Sequence, residues 1–282
     1  MTKQIDRYAV FGNPVAHSKS PQIHTLFAEQ TKQSLVYTAE LAEIGKFEQA
    51  VKTFISNDGK GLNITVPFKE DAWQTATKRS ERAQRAGAVN TLILQSDGTL
   101  FGDTTDGIGL IRDLIDNHNI PLADKDILLI GAGGAVRGVI ESILEQKPAS
   151  LLITNRTAEK AVQLASDFSA LGNIRGCGLD DTENTFSHSD FDIIINGTSA
   201  SLKGDLPALP DSIYRSNSCS YDMMYSATAT PFMQWSADNG AKNIFDGLGM
   251  LVEQAAESFY LWRNVKPETE HVIKSIRQSL NQ

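Results

Sequence analysis

The order of apolar and polar residues divides this chain into short strands and amphipathic helices that alternate along its length. The apolar run at 8–11 ends at Gly12, and the strand-like stretch at 61–66 ends at Pro67, as strands that stop at turns do. Between such runs, apolar residues recur at helical spacing. The predicted strands of the first hundred residues are 8–11, 35–39, 61–66 and 88–94, and the predicted helices are 21–30 and 47–56. This alternation predicts an α/β domain with a largely parallel sheet.

The stretch from Asp126 to Lys160 has the most specific pattern in the chain. An apolar strand at 127–130 runs into a turn with three glycines at 131–134, and a helix and a second apolar strand at 151–154 follow. Strand, glycine turn, helix and strand form the dinucleotide-binding unit of doubly wound α/β domains. The glycines allow the backbone to approach a pyrophosphate, and the helix N-terminus favours an anion. The sequence therefore predicts a Rossmann-like domain.

The residues after the second strand of this unit indicate which dinucleotide binds. A domain that uses NAD has an acidic residue there, which holds the ribose 2′-hydroxyl. This chain has Asn155, Arg156 and Thr157 instead. A guanidinium and a hydroxyl suit a 2′-phosphate, so the predicted cofactor is NADP. Two alternatives stay open. Val136 occupies the third glycine position of the motif, so the glycine turn could be an ordinary helix start that binds no nucleotide, and Arg156 could be an ordinary surface arginine.

Later patterns indicate how the two domains share the chain. Apolar strand ends at 191–196 and 220–223 extend the Rossmann-like domain, and the tail from residue 247 onward is predicted to be helical with a broad apolar face. This tail can return to cover the first sheet. The expected domains are a substrate-binding and catalytic domain at 1–105, completed by C-terminal helices at 248–282, and an NADP-binding domain at 106–247. Glycines near 102–107 and 247–249 are the expected hinges.

Composition narrows the classes of function. Of the 282 residues, 41% are hydrophobic and 21% are charged, which is ordinary for a globular protein. The net charge is −8 and no basic stripe is present, so we expect no nucleic-acid partner. We also expect no membrane association and a cytoplasmic location, because no apolar run approaches the ~20 residues that span a bilayer and the N-terminus lacks a signal peptide. The cysteines and histidines lack metal-site spacing, so no metal is expected.

Polar side chains suited to catalysis lie at predicted strand ends and helix starts of the first domain. Ser18 and Ser20 precede the helix that begins at Pro21, where hydroxyls and free N–H groups could hold a carboxylate. Lys69 follows a strand that ends at a proline, and Asp106 begins a predicted helix. A lysine and a carboxylate that face one substrate hydroxyl can move its proton while a nicotinamide takes the hydride. Plain helix N-caps are the alternatives for Ser20 and Asp106.

Nine motifs along the chain resemble those of one enzyme family. They are NPVAHSKSP, GLNITVPFK, AGAVNTL, GDTTDGIG, GAGGAVRG, NRTAEK, INGTSAS, YDMMY and GLGMLVEQAAESFYLW, in this order. The series resembles that of shikimate dehydrogenase, the NADP-dependent enzyme of aromatic amino-acid biosynthesis, from Phe11 to Trp262. The resemblance implies the reversible reduction of 3-dehydroshikimate to shikimate, in a cleft between a substrate domain and a Rossmann-like domain. We expect small-molecule partners and a monomer or homodimer.

The resemblance also implies a role for each matching residue. Lys69 and Asp106 would form the catalytic pair. The residues implied to bind substrate are Ser18 and Ser20 at the carboxylate, together with Asn63, Thr65, Lys69, Asn90, Asp106, Tyr225 and Gln254. The residues implied to bind NADP are Gly131, Ala132, Gly133, Gly134 and Ala135 at the pyrophosphate, Asn155, Arg156, Thr157 and Lys160 at the 2′-phosphate and adenine, and Thr198, Ser199, Met223, Tyr225 and Gly247 near the nicotinamide.

Two of these residues could have a purely structural role, and the shape of one loop is open. Met223 could be a core filler, since methionines fill gaps readily. Gln254 could be a surface residue of the tail helix. The loop from Ser199 to Gly204 lacks the glycine that the family more often has soon after the serine, so the shape of this loop is open.

Three other functions were weighed against the resemblance. A quinate/shikimate dehydrogenase that uses NAD should have an acid after the second Rossmann strand, where this chain has Arg156 and Thr157. A non-catalytic ligand sensor should lack the Lys69–Asp106 pair. The third alternative is a folate-type dehydrogenase of the same broad architecture, but the serine pair Ser18 and Ser20 suits a carboxylate-bearing ring better.

Overall fold

The structure is a computed structural model that describes residues 5–179, 191–198, 206, 209–210 and 213–281 of the chain. The chain forms two compact units. The first consists of residues 1–109 and 251–282, and the second consists of residues 110–250. Asp106, which we expected at the start of the NADP-binding domain, therefore lies in the first unit. In the described part of the chain, no helix has the length and hydropathy needed to cross a membrane.

The first unit is built on a six-stranded sheet. Its strands are β1 (Asp6–Gly12), β2 (Leu35–Leu41), β3 (Gly59–Ile64), β4 (Lys78–Arg79), β5 (Thr91–Leu94) and β6 (Leu100–Asp103). They lie in the order β2-β1-β3-β5-β6-β4. β1 pairs in parallel with β2 and β3, whereas β5 is antiparallel to both of its neighbours. The turn at Ser96 to Gly98, with residue types typical of turns, joins β5 and β6 as a hairpin.

Helices from both ends of the chain complete the first unit. They are α1 (Ser20–Thr31), α2 (Phe47–Ser56), α3 (Lys69–Thr75), α4 (Glu81–Ala86), the start of α5 (Asp106–Arg112), most of α9 (Leu248–Arg263) and α10 (Glu270–Leu280). Trp262 of α9 donates from Nε1 to the Leu92 carbonyl at 3.1 Å, and its ring lies 4.6 Å from that of Tyr8. A Cβ on Gly61 would lie 2.4 Å from the Trp262 Nε1 atom, so this close approach requires a glycine. The C-terminal tail thus packs on the first sheet.

The second unit is a parallel six-stranded sheet with helices. Its strands are β7 (Asp126–Ile130), β8 (Ser150–Asn155), β9 (Ile174–Gly178), β10 (Phe191–Asn196), β11 (Tyr214–Asp222) and β12 (Asn243–Asp246), and its helices include α6 (Gly134–Glu145), α7 (Ala158–Asp167) and α8 (Pro231–Asp238). The strand order is β12-β11-β10-β7-β8-β9, and all pairs are parallel. The order reverses between β7 and β10, which makes the sheet doubly wound and places its ligand-binding crevice at their carboxyl ends.

Several element boundaries differ from the sequence-based prediction. Ser20 is the first residue of α1, and Lys19 occupies the N-cap position, so the prediction of Ser20 as N-cap is wrong. The helix that begins at Asp106 is α-helical as far as Arg112 and continues as a π-helical turn at Asp113–Asn117. There the buried Asp113 carboxylate accepts hydrogen bonds from the Tyr221 hydroxyl at 2.6 Å and from Asn117 at 2.8 Å. Contacts distant in sequence shape this turn.

Candidate active site

Lys69 and Asp106 form a close ion pair in the first unit. Lys69 is the first residue of α3 and Asp106 is the first residue of α5. The Lys69 Nζ atom lies 2.5 Å from Asp106 Oδ2, and the two side chains are 13% and 8% exposed. The pair is therefore shielded from bulk water while both groups keep some access to it. A proton donor or acceptor beside a fixed carboxylate is the arrangement that general acid–base chemistry requires.

The Asn90 side chain holds the other oxygen of this carboxylate. Its Nδ2 donates to Asp106 Oδ1 at 2.9 Å and to Gln254 Oε1 at 3.2 Å. Its Oδ1 accepts the backbone N–H of Thr105 at 2.9 Å, and a backbone N–H can only donate. The amide of Asn90 is therefore oriented with its nitrogen toward Asp106. Gln254 is partly buried within this network, so its interpretation as a surface residue is wrong.

Asn63 lies at the end of β3, close to the same network. Its Oδ1 accepts the Tyr37 hydroxyl at 2.8 Å, and its Nδ2 donates to Ser258 Oγ at 2.9 Å. Asn63 Nδ2 also donates to Thr91 Oγ1 at 3.2 Å, and Thr91 Oγ1 donates to Asn90 Oδ1 at 2.8 Å. Polar side chains thus connect Asn63 to Asp106 without a gap.

Ser18, Ser20 and Thr65 lie around the start of α1 and the end of β3. Ser18 Oγ accepts the backbone N–H of Ser20 at 3.3 Å. Ser20 is buried and lies beside Tyr37, whose hydroxyl donates to Asn63. Thr65 is half-buried and directly follows β3. The three hydroxyls therefore belong to the same unit as the Lys69–Asp106 pair, although no described hydrogen bond joins them to it directly.

Four hydroxyl-bearing residues of this network were not among the predicted site residues. They are Tyr37, Thr91, Thr105 and Ser258. The sequence offered a weak signal for three of them: Thr91 and Thr105 adjoin predicted site residues, and Ser258 lies one helical turn after Gln254. Tyr37 offered none, because an isolated aromatic residue in a strand is typical of a core position.

In the second unit, the predicted pyrophosphate turn has the backbone that an anion needs. Gly131 has a φ of +114°, which favours glycine, and α6 begins at Gly134 without a side-chain cap and without an acidic residue in its first turn. Ala132 and Ala135 flank these glycines, and a Cβ on Gly133 would meet no atom within 4 Å. A Cβ on Gly131 would lie 3.3 Å from Thr198 Cγ2, so the ends of β7 and β10 adjoin at the crevice.

The end of β8 presents the residues expected at a 2′-phosphate. Arg156, Thr157 and Lys160 are exposed, and neither cation forms an ion pair with another described residue. Asn155 Nδ2 donates to the Thr157 carbonyl at 3.0 Å and so shapes the turn into α7. Uncommitted cations at this position fit an NADP 2′-phosphate better than the ribose hydroxyl of NAD.

Two buried residues at the ends of β10 and β11 organise the neighbouring loops. Asn196 Oδ1 accepts the N–H and the hydroxyl of Thr198 at 3.1 and 2.8 Å, and its Nδ2 donates to Asp222 Oδ1 at 3.0 Å. Asp222 Oδ2 accepts the Thr230 hydroxyl at 2.6 Å. Asn196 and Asp222 were not predicted as site residues, although both lie in the quoted motifs. Ser199 lies outside the described residues, as does the loop to Gly204.

Met223, Tyr225 and Gly247 lie close to these strand ends. Met223 is buried and packs with the core of the second unit, and a Cβ on Gly247 would come within 2.2 Å of its carbonyl oxygen. Gly247 therefore permits a backbone approach that no other residue would. Burial, and to a lesser extent Asp246, raises the pKa of Tyr225. Within the described residues, no group of His, Cys, Asp or Glu side chains could hold a metal ion.

Family models match most of the chain. The model for the shikimate dehydrogenase substrate binding domain matches residues 10–92, that for shikimate / quinate 5-dehydrogenase matches residues 114–203, and that for the shikimate 5′-dehydrogenase C-terminal domain matches residues 247–277.

Individual proteins with similar sequence or structure agree with these matches. A shikimate dehydrogenase (NADP(+)) of Vibrio campbellii is 56% identical over 280 residues, which cover 99% of each chain. An Ael1 enzyme from Pseudomonas putida has a similar structure, with a TM-score of 0.87, 44% identity, and coverage of 96% of this chain and 97% of that one. Shikimate 5-dehydrogenase from Thermus thermophilus, solved in complex with NADP(H) and shikimate, has a TM-score of 0.84 and 30% identity, and covers 98% of this chain and 100% of its own. The chain therefore belongs to the shikimate dehydrogenase family.

Proposed function

We propose that this protein catalyses the reversible, NADP-dependent reduction of 3-dehydroshikimate to shikimate, a step of aromatic amino-acid biosynthesis in the cytoplasm. The observation that carries the proposal is the shielded Lys69–Asp106 pair, at 2.5 Å, beside the oriented amide of Asn90. Family membership supports the substrate, and the uncommitted cations Arg156 and Lys160 support NADP over NAD.

The Lys69–Asp106 pair handles the proton of the reaction. When shikimate is oxidised, one hydroxyl loses its proton and its carbon loses a hydride. Lys69 Nζ or Asp106 takes the hydroxyl proton, and in the reverse direction the same group returns it to the carbonyl oxygen. Asn90 keeps Asp106 Oδ1 occupied, so that Oδ2 remains directed at Lys69. The ammonium also stabilises the negative charge that develops on the substrate oxygen.

The remaining polar groups of the first unit hold the substrate. Ser18 and Ser20 bind its carboxylate at the start of α1, where helix N–H groups also favour an anion. Asn63, Thr65, Asn90 and Gln254 bind its ring hydroxyls, and the family motifs assign Tyr225 to the substrate as well. These assignments follow from the positions of the residues in the family motifs. For Asn63, Asn90 and Gln254, their place in one polar network of the first unit supports the assignment as well.

NADP binds to the second unit. Gly131, Gly133 and Gly134 with Ala132 and Ala135 hold the pyrophosphate at the start of α6, while Arg156, Thr157 and Lys160 with Asn155 hold the 2′-phosphate. Thr198, Ser199, Met223, Tyr225 and Gly247 adjoin the nicotinamide. When bound, NADP supplies the acceptor or donor of the hydride, and the chain's own residues supply binding and proton transfer.

A comparison of two substrate and cofactor pairs tests the proposal. The purified protein is mixed with shikimate and NADP or with quinate and NAD, and the appearance of reduced nicotinamide is followed by absorbance. We expect turnover with shikimate and NADP that is far faster than with quinate and NAD. Faster turnover with quinate and NAD would indicate the quinate-type enzyme, and no turnover with either pair would indicate a ligand sensor.

A further inference from the structure

We propose that Tyr37 and Ser258 are positioning residues that hold the Asn63 side-chain amide from opposite sides, in one fixed orientation toward the substrate. This inference rests on the proposed function, in which Asn63 binds a ring hydroxyl. The two residues come from different elements, β2 and α9, and both lie in the first unit with Asn63.

The contacts of Asn63 allow one orientation of its amide. The two ends of an asparagine amide are nearly identical in shape, so hydrogen-bond partners decide which end lies where. Asn63 Nδ2 lies 3.3 Å from the backbone carbonyl of Asn90, an atom that can only accept. The same nitrogen donates to Ser258 Oγ at 2.9 Å, and Ser258 directs its own hydroxyl to the Gln254 carbonyl at 3.0 Å. Asn63 Oδ1 must therefore face Tyr37.

Tyr37 is suited to donate to this oxygen. Its hydroxyl lies 2.8 Å from Asn63 Oδ1. Burial raises the pKa of the Tyr37 phenol well above its ordinary value, so the phenol keeps its proton. The ring stacks on the buried His24 imidazole, with 4.2 Å between centroids and 8° between planes, and also adjoins Trp262. This packing prevents the ring from turning away and so fixes the direction of the hydroxyl.

Tyr37 and Ser258, which together form a clamp on the Asn63 amide, also connect the two ends of the proposed substrate site. On one side, Tyr37 lies beside Ser20, which we assign to the substrate carboxylate. On the other side, the Asn63 nitrogen that donates to Ser258 also donates to Thr91, and Thr91 donates to Asn90 beside the proposed catalytic pair. A free Asn63 amide would rotate or flip and present the wrong end to the ring hydroxyl. Loss of the clamp should therefore weaken substrate binding without affecting proton transfer.

Steady-state kinetics of Tyr37→Phe, with Tyr8→Phe as the matched control, test this inference. Tyr8 and Tyr37 are paired neighbours on β1 and β2, both are buried, and the Tyr8 hydroxyl contacts Arg263 instead of Asn63. For Tyr37→Phe we expect KM for shikimate to rise about tenfold, kcat to change less than about twofold, and KM for NADP to stay at the parent value. Tyr8→Phe should keep all three at the parent values.

Further variants ask whether Tyr37 acts through Asn63. Added to Asn63→Ala, Tyr37→Phe should raise KM no further, because the group that it positions is gone. Multiplying losses in the double variant would overturn the inference, as would a parent-like KM in Tyr37→Phe. If Tyr37→Phe does not fold, Ser258→Ala tests the same clamp, and a parent-like KM in that variant would overturn it. A parent enzyme without shikimate activity would instead refute the proposed function.

Discussion

At the scale of single residues, the proposed chemistry depends on Lys69 and Asp106. Proton transfer by a positioned side chain contributes about 100-fold or more to a rate. Lys69→Met should therefore lower kcat by about 100-fold or more, while KM for shikimate changes much less, because carboxylate and hydroxyl contacts remain. Lys78→Met removes an exposed lysine of the same unit and should keep the parent kcat. Near-normal turnover of Lys69→Met would show that another group moves the proton.

Asp106 should act as one unit with Lys69, because the two groups contact each other at 2.5 Å. The double variant Lys69→Met/Asp106→Asn should then have a kcat little lower than that of the poorer single variant. Independent, multiplying losses would indicate separate roles. A purely structural role of Asp106 at the start of α5 predicts a lower melting temperature with intact kcat, so thermal melting of Asp106→Asn separates the two explanations.

His24 makes the stability of the first unit depend on pH. Complete burial lowers the pKa of His24 from 6.5 to about 3, so the native state keeps the imidazole neutral where the unfolded state binds a proton. The stabilisation is fully present above the unfolded pKa and is lost as pH falls from about 6.5 toward 3. Unfolding free energies measured at about pH 6.5 and pH 5 should show a loss about 1.5 kcal/mol larger in the parent than in His24→Phe. A His24 resonance that titrates near its ordinary pKa in NMR spectra would contradict this explanation.

At the scale of elements, the sequence predicted the helix bounds and turns that depend on residues close together in the chain. The bounds of α2 follow from the spacing of Phe47, Val51 and Phe54, all three of which are buried. The glycine turn after β7 follows from the backbone conformation that Gly131 adopts. The π-helical turn at Asp113–Asn117 could not be predicted, because it depends on a hydrogen bond from Tyr221, 108 positions away.

The difference between contacts that are local in sequence and contacts that are distant also separates the predicted site residues from the missed ones. Residues in compact motifs, such as Lys69 and Asp106, could be identified, because chemistry and motif lie together in sequence. Tyr37 could not be identified, and Ser258 had only the weak signal of its place one turn after Gln254. Their proposed role depends on the contacts of β2 and α9 with Asn63 of β3, which no local pattern encodes.

The exposed turn after β8 should decide cofactor choice. A 2′-phosphate has about two negative charges, and charge-assisted contacts to arginine are stronger than neutral ones. Arg156→Ala should therefore raise KM for NADP at least tenfold and leave KM for NAD nearly unchanged. Added salt should raise KM for NADP in the parent more than in Arg156→Ala, since exposed charges are screened.

Arg175→Ala is the matched control for this element. Arg175 is an exposed arginine on the neighbouring strand β9, outside the predicted cofactor site. The Arg175→Ala variant should keep the parent KM for NADP. This result would exclude a general effect of removing one positive charge from the surface. Equal rises in KM for NADP and NAD in Arg156→Ala would refute a specific contact with the 2′-phosphate.

At the scale of the whole molecule, each unit has a hydrophobic core of its own. One core of the first unit packs α2 and α3 against β1 and β3, and one core of the second unit packs α6 and α7 against β7 and β8. Half-buried tryptophans adjoin the cores: Trp262 stacks near Tyr8, and Trp235 lies 5.7 Å from Phe232. Because local stability follows buried contacts, the two units should open separately.

Native-state hydrogen exchange of Trp262→Ala and Trp235→Ala tests this separation. Removal of a large aromatic side chain costs about 2–3 kcal/mol when the site is only partly buried, and the cost falls on the structure that loses the contacts. Trp262→Ala should lower protection of the amides of β1, β3 and β5 and leave β7 and β8 at parent protection. Trp235→Ala should lower protection of β10 and β11 and leave β1 and β3 unchanged. Equal losses across both sheets in either variant would show that the chain unfolds as one cooperative body, because energy removed from one core would then be removed from both.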